Sequence, residues 1–146
     1  MTTVTWWSVV RFVHVLSATG WVGGQLLLSG VVLPVLRSEV EQPARGRLIH
    51  TTAKRFGFIA NIGLLPLLAL TGVALARHRG VTVEALGEPG YGRLLSIKLG
   101  LVVLSIALAG VHGLLATKNP RGSRILGIAG MVSSVGIVLF ATALVP

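Results

Sequence analysis

Cysteine is absent from this 146-residue chain, and so is aspartate. The first absence excludes disulfides, thiolate metal centres and cysteine nucleophiles. The four acids, Glu39, Glu41, Glu84 and Glu88, all fall between the apolar runs. No carboxylate pair is therefore available at membrane depth for acid–base work. Methionine occurs only at Met1 and Met131, so soft sulfur ligands are nearly missing too. No HExxH, P-loop or GxSxG pattern is present. Any redox or hydrolytic chemistry would have to come from a bound cofactor. Charged residues make up 12% of the chain, against roughly a quarter in soluble domains.

What remains is apolar. Hydrophobic residues are 53% of the sequence, and the mean hydropathy is +0.84. The natural solvent for such a chain is lipid. The net charge of +9 does not indicate nucleic acid. The cations flank apolar runs instead of forming a patch with interleaved aromatics, and such flanks suit anionic headgroups.

Four segments reach the ~20 residues needed to cross the hydrocarbon. They are placed at Trp7–Leu36, Phe56–Ala76, Arg93–Ala116 and Ile125–Val145. "LRSEVEQPARGR", "RHRGVTVEALGEPGYGR" and "TKNPRGSR" separate them, with the Pro, Gly and charge that end helices. The apolar N-terminal run has no basic leader and is too long for a cleavable signal. The expected fold is all-α: an integral membrane four-helix bundle forming a single domain over residues 1–146.

Cations set the expected orientation. Arg37, Arg45, Arg47, Lys54, Arg55, Lys118, Arg121 and Arg124 share one side; Arg11, Arg77, Arg79 and Arg93 share the other. The richer side is assigned to the cytoplasm, which puts both termini outside. Trp6, Trp7 and Tyr91 then form an outer aromatic belt. The expected location is a bacterial-type plasma membrane, multi-pass.

Polar residues recur at helical spacing inside the spans. His14, Ala18, Trp21 and Gln25 share one face of the first. Lys54, Asn61, Leu68 and Gly72 share one face of the second. Lys98, Ser105 and His112 follow a heptad on the third. Intramembrane ionisable groups normally face a bundle interior, so His14, Trp21, Gln25, Asn61, Lys98, Ser105 and His112 are expected inside. By helical rise, His14 and Lys98 lie roughly 10 Å from the midplane on the outer side, and His112 roughly 10 Å on the inner side. His78 falls near the outer interface and His50 near the inner one. Gly20, Gly23 and Gly24 read as helix–helix contact or as room for a flat cofactor beside His14. Gly127 and Gly130 do similar packing work on the fourth segment, and Pro66 reads as a packed kink.

"RFVHVLSATGWVGGQLL" resembles the first helix of the copper-resistance D (CopD) domain, where a His precedes a Trp and a Gly pair. "RFGFIANIGLLPLLALTG" is similar to its second helix, and "YGRLLSIKLGLVVL" to the start of its third. The resemblance covers nearly the whole chain. HemJ-type protoporphyrinogen oxidases similarly pair a first-helix His with a third-helix Lys, here His14 and Lys98. The resemblance implies a four-helix membrane module tied to copper or to haem.

The leading expectation is a haem-b-binding redox protein, with electron transfer or oxidation of a small substrate as its task. Haem b needs an axial imidazole and an apolar slot with small residues. His14 is the principal ligand in that reading and His112 the second. Trp21, Gly20 and Gly24 shape the slot, and Lys98 is a charge partner. His14 and His112 lie roughly 20 Å apart in depth, so they cannot clamp one haem; a two-haem arrangement would use His78 and His50 as well. The alternatives are a copper uptake or tolerance protein using His14, and a non-catalytic membrane subunit. Simple hydrogen bonding explains His14 and His112 too, and Lys98 can snorkel to the interface. The expected partners are the bilayer and a quinone, quinol or other redox protein, with no nucleic acid; self-association stays open.

Overall fold

A computed structural model describes residues 3–115 and 120–143. Lys118, the side chains of Arg121 and Arg124, and the expected span end at Val145 lie outside the described residues. All regular structure among the described residues is helical. The long helices are α1 (Trp6–Leu27), α2 (Leu33–Glu39), α3 (Ala44–Ile59), α4 (Leu65–His78), α5 (Tyr91–Leu115) and α6 (Pro120–Ala143). Four continuous stretches are long and apolar enough to cross a membrane: Trp6–Glu39, Ala44–His78, Tyr91–His112 and Ile125–Ala143.

The first two stretches each contain one widened turn. Leu28–Val32 joins α1 to α2 and Ala60–Leu64 joins α3 to α4, both as π helix. Leu33 N–H donates to Leu28 O, and Leu65 N–H to Ala60 O, five residues back. The next residue is proline in both cases, Pro34 and Pro66. A proline ring crowds the carbonyl four residues back and donates nothing. Widening the preceding turn moves that carbonyl away and lets the helix continue.

The helical stretches outrun the hydropathy pattern. The second was expected from Phe56, but α3 starts at Ala44. The first runs on to Glu39. Arg and Lys are good helix formers, so the helix persists past the hydrocarbon boundary that hydropathy detects. Thr5 starts α1 as a capping box: its hydroxyl accepts from Ser8 N–H at 3.3 Å, and Ser8 Oγ accepts from Thr5 N–H at 3.2 Å. Gly80, at φ +71°, ends α4 in the left-handed region.

The chain divides into two compact units, Met1–Gly80 and Val81–Pro146. In the first, α1 packs along α4. Its core is Trp21, Val22 and Ala60, with Leu64, Leu65 and Leu68 against it. In the second, α5 packs along α6, and the buried seam is Ser105, Gly130, Ser133 and Ser134. Large apolar side chains elsewhere face outward, among them Phe12, Leu70, Val103 and Leu139, each more than 60% exposed. Such faces fit a hydrocarbon solvent and not water.

A short 3-10 turn, Glu84–Gly87, seats against the start of α5. Ser96 Oγ donates to Leu86 O at 2.6 Å and contacts Gly92 O at 3.0 Å. A Cβ at residue 92 would overlap the Ala85 carbonyl. Only glycine admits backbone this close, which gives the Tyr91–Gly92–Arg93 motif a structural role.

Candidate functional site

In the first unit the seam between α1 and the continuous Ala44–His78 stretch forms three layers, spaced about two turns apart. At the N-terminal end of α1, Trp7 stacks on His78 with ring centroids 3.8 Å apart and planes 12° from parallel. Deeper along α1 lies His14, with Thr71 and Gly72 facing it. Deeper again, Trp21 stacks near Phe56 at 6.3 Å, and Leu64 covers Gly20. The spacing of Trp7, His14 and Trp21 is a heptad, matched by Leu64, Thr71 and His78 on the facing helix. Heptad repeats keep successive residues on one seam.

The middle layer holds the chemistry. His14 Nδ1 and Thr71 Oγ1 are 2.8 Å apart. Thr71 Oγ1 also donates to Leu67 O, one turn back on its own helix, by a short hydrogen bond. The hydroxyl carries one proton. If that proton pointed at His14, two oxygen lone pairs would face each other across the short Thr71–Leu67 contact. With its proton on Leu67 O, Thr71 Oγ1 is placed to accept from a His14 Nδ1–H. In that tautomer a neutral His14 carries its lone pair on Nε2. Metal-binding imidazoles are commonly held this way, with one nitrogen donating to a fixed oxygen and the other coordinating. Gly72 makes the approach feasible, because a Cβ there would lie 3.2 Å from His14 Cε1.

The deep layer is closed by the chain's own side chains. A Cβ at Gly24 would overlap the Phe56 ring, and one at Gly20 would lie 3.3 Å from Leu64. The room these glycines provide is thus taken up by α3 and the π turn after it. Trp21 is buried there and Gln25 half-buried.

Asn61 departs from its expected interior place. It is exposed, and its Nδ2 donates to Gly57 O at 2.7 Å within its own helix. It falls inside the Ala60–Leu64 π turn, so counting by a uniform 100° step through it gives the wrong face. Lys54, expected on the same stripe, is exposed as well.

The second unit carries a related arrangement. His112 lies on Gly127, where a Cβ would meet its Cε1 at 3.2 Å. Two turns back along α5, Ser105 Oγ is 3.0 Å from Ser134 Oγ. Ser134 donates to Gly130 O at 2.9 Å, so Ser105 is the donor between the two serines. Ser133 Oγ donates to Leu101 O at 3.1 Å. Lys98 is half-buried on the same heptad. His14 and His78 belong to the first unit, His112 and Lys98 to the second. His50 lies on exposed α3, at the end of its unit away from Trp7 and His78. Among the described residues no three His or acidic groups gather as a metal cage.

Thr71 and Gly72 are the functional candidates that sequence reasoning passed over. The signal for Thr71 was the heptad that links Leu64, Thr71 and His78, and Gly72 stood on the neighbouring Lys54–Asn61–Leu68 stripe without a part assigned to it.

An uncharacterized protein of Aquifex aeolicus (strain VF5) is 32% identical over 134 residues, covering 87% of each chain. The chain belongs to the family of this Aquifex protein. The copper transport protein CutJ of Bacillus subtilis (strain 168) is 31% identical over 143 residues, or 94% of this chain. The chain spans only 24% of CutJ's length. No family model matches the chain, and no solved structure matches it.

Proposed function

We propose that this chain is a copper-handling membrane module of the CopD group, in which His14 receives the ion through Nε2. The observation that carries the reading is the His14–Thr71 pair, which holds the imidazole against a fixed oxygen through Nδ1, the arrangement that supports Nε2 as the ligand atom. The similarity to CutJ over almost the whole chain supports copper as the ion. A single imidazole without sulfur ligands suits a station on a transfer route better than a storage site. His78 under Trp7, two turns nearer the helix ends, is the preceding station. We assign that end, and both termini, to the outer face of a plasma membrane, because it carries the fewer cations.

The haem-b reading uses the same Nε2. It also needs the room beside Gly20 and Gly24, where Leu64 and Phe56 now sit. We therefore rank it second, with His112 as its other axial candidate, Lys98 as charge partner and a quinone or redox protein as its electron partner. His50 has no assigned part in the copper reading.

Purified protein with metal analysis and an absorption spectrum separates the readings. Added copper bound by the purified wild type, and not by His14→Leu, is the expected result. A Soret band that depends on His14 would replace copper with haem. Retention of neither ligand would leave a membrane subunit without a cofactor.

A further inference from the structure

We propose that the exposed face of α3 binds one anionic phospholipid. His50, Thr51, Lys54, Arg55, Phe58 and Ile59 line one open, shallow face of this helix. These positions recur at helical spacing, so they form one strip along the axis. The strip is graded. Its upper part carries two cations, an imidazole and a hydroxyl; its lower part is aromatic and aliphatic.

Depth explains the gradient. The stretch Ala44–His78 has 35 residues, and ~20 of them fill the hydrocarbon. The apolar run begins at Phe56. Lys54 and Arg55 thus sit at headgroup depth, while Phe58 and Ile59 lie where acyl chains begin. Phe58 is 67% and Ile59 58% exposed, so among the described residues no helix of the first unit covers that lower part.

Charge complementarity selects the occupant. No acid occurs between Ala44 and Ile59. Among the described residues, the side chains of Lys54 and Arg55 make no ion pair or hydrogen bond. Arg45 differs, since its Nη1 donates to Arg37 O at 3.0 Å and ties the start of α3 to α2. Two uncompensated cations above an apolar strip match a phosphate ester joined to acyl chains. Each cation set directly against a bound anionic headgroup strengthens its attraction by roughly five-fold. A zwitterionic headgroup brings its own ammonium and offers no such match.

The test uses the full chain in nanodiscs of equal phosphatidylglycerol and phosphatidylcholine, read by native mass spectrometry. The wild type should retain phosphatidylglycerol about ten-fold over phosphatidylcholine. Lys54→Gln with Arg55→Gln should bring that ratio within two-fold. Arg11→Gln with Arg77→Gln removes the same charge at the other end of the unit and should leave the preference intact. Phe58→Ala should weaken retention of long-chain more than short-chain phosphatidylglycerol, while the helical circular dichroism is unchanged. Equal retention of the two lipids by the wild type would overturn the site. So would an equal loss in the control pair. Displacement of the lipid by excess inorganic phosphate would show a site for free anions instead.

Discussion

The two units are both pairs of long helices with a histidine on the first helix resting on a glycine of the second. His14 lies on Gly72 and His112 on Gly127, with the same ring atom, Cε1, nearest in each. The neighbours differ. Thr71 precedes Gly72, whereas Leu126 precedes Gly127. The first unit surrounds its imidazole with stacked aromatics above and below. The second runs a serine ladder along its seam. One arrangement gives its imidazole a hydroxyl partner and the other knits helices, although the same two residue types meet at the contact.

The largest break in the comparison should come from glycine replacement at the closest backbone approaches. Gly92→Ala drives a Cβ into the Ala85 carbonyl, where only backbone could yield. A loss of about 3 kcal/mol is expected, read by unfolding in detergent. Gly24→Ala meets a ring that can turn away, so about 1–2 kcal/mol is expected there. Gly130→Ala meets Leu108 Cβ at an ordinary 3.8 Å and should be nearly neutral. If Gly130→Ala cost as much as Gly92→Ala, contact distance would not be what distinguishes these sites.

Next comes the hydroxyl at residue 71. Thr71→Val keeps the shape and removes the acceptor, and should weaken binding of the proposed copper ion by roughly ten- to hundred-fold. Thr71→Ser should restore it. Nitrogen-15 shifts of His14 should report an Nδ1–H ring in the wild type and a mixed tautomer in the valine variant. An unchanged ring in both would remove Thr71 from the site. The serine ladder should cost less to break. A double-mutant cycle with Ser105→Ala and Ser134→Ala should give a coupling near 0.6 kcal/mol, as for other interhelical hydrogen bonds in lipid.

The smallest effect concerns the turn before α5. The Glu84 carboxylate is held below its ordinary pKa by a backbone hydrogen bond and then by the Thr82 hydroxyl. A lowered folded-state pKa stabilises above the unfolded value, and the stabilisation fades as pH falls through the folded one. Amide exchange at Ala85 and Leu86 should therefore quicken slightly in acid beyond its intrinsic change. Glu84→Gln should remove that extra dependence.

Much of this was legible from composition and phase. Four apolar runs gave four helices because lipid leaves little other choice for a spanning backbone. Trp21 and Ser105 are buried as their helical faces suggested. Thr71 was not legible, because a threonine in a helix usually bonds to its own carbonyls. Here it does that and also faces His14 across the seam, which only packing reveals. Gly72 and Gly127 gave no hint of what rests on them, since a small residue marks room and not its occupant. Asn61 was misplaced because a helical wheel has no way to represent a π turn.

That widened turn behaves, in effect, as a one-residue insertion absorbed without breaking the helix. Everything from Ala44 to Ile59 is rotated relative to a uniform α-helix continued back from Leu65. Deleting a single residue within Ala60–Leu64 should restore the narrower coil and swing the cationic strip around the axis, leaving the His14–Thr71 layer in place. Among relatives, a lone gap at this point would thus mark a change in which lipids or neighbours the strip can meet, with the imidazole untouched.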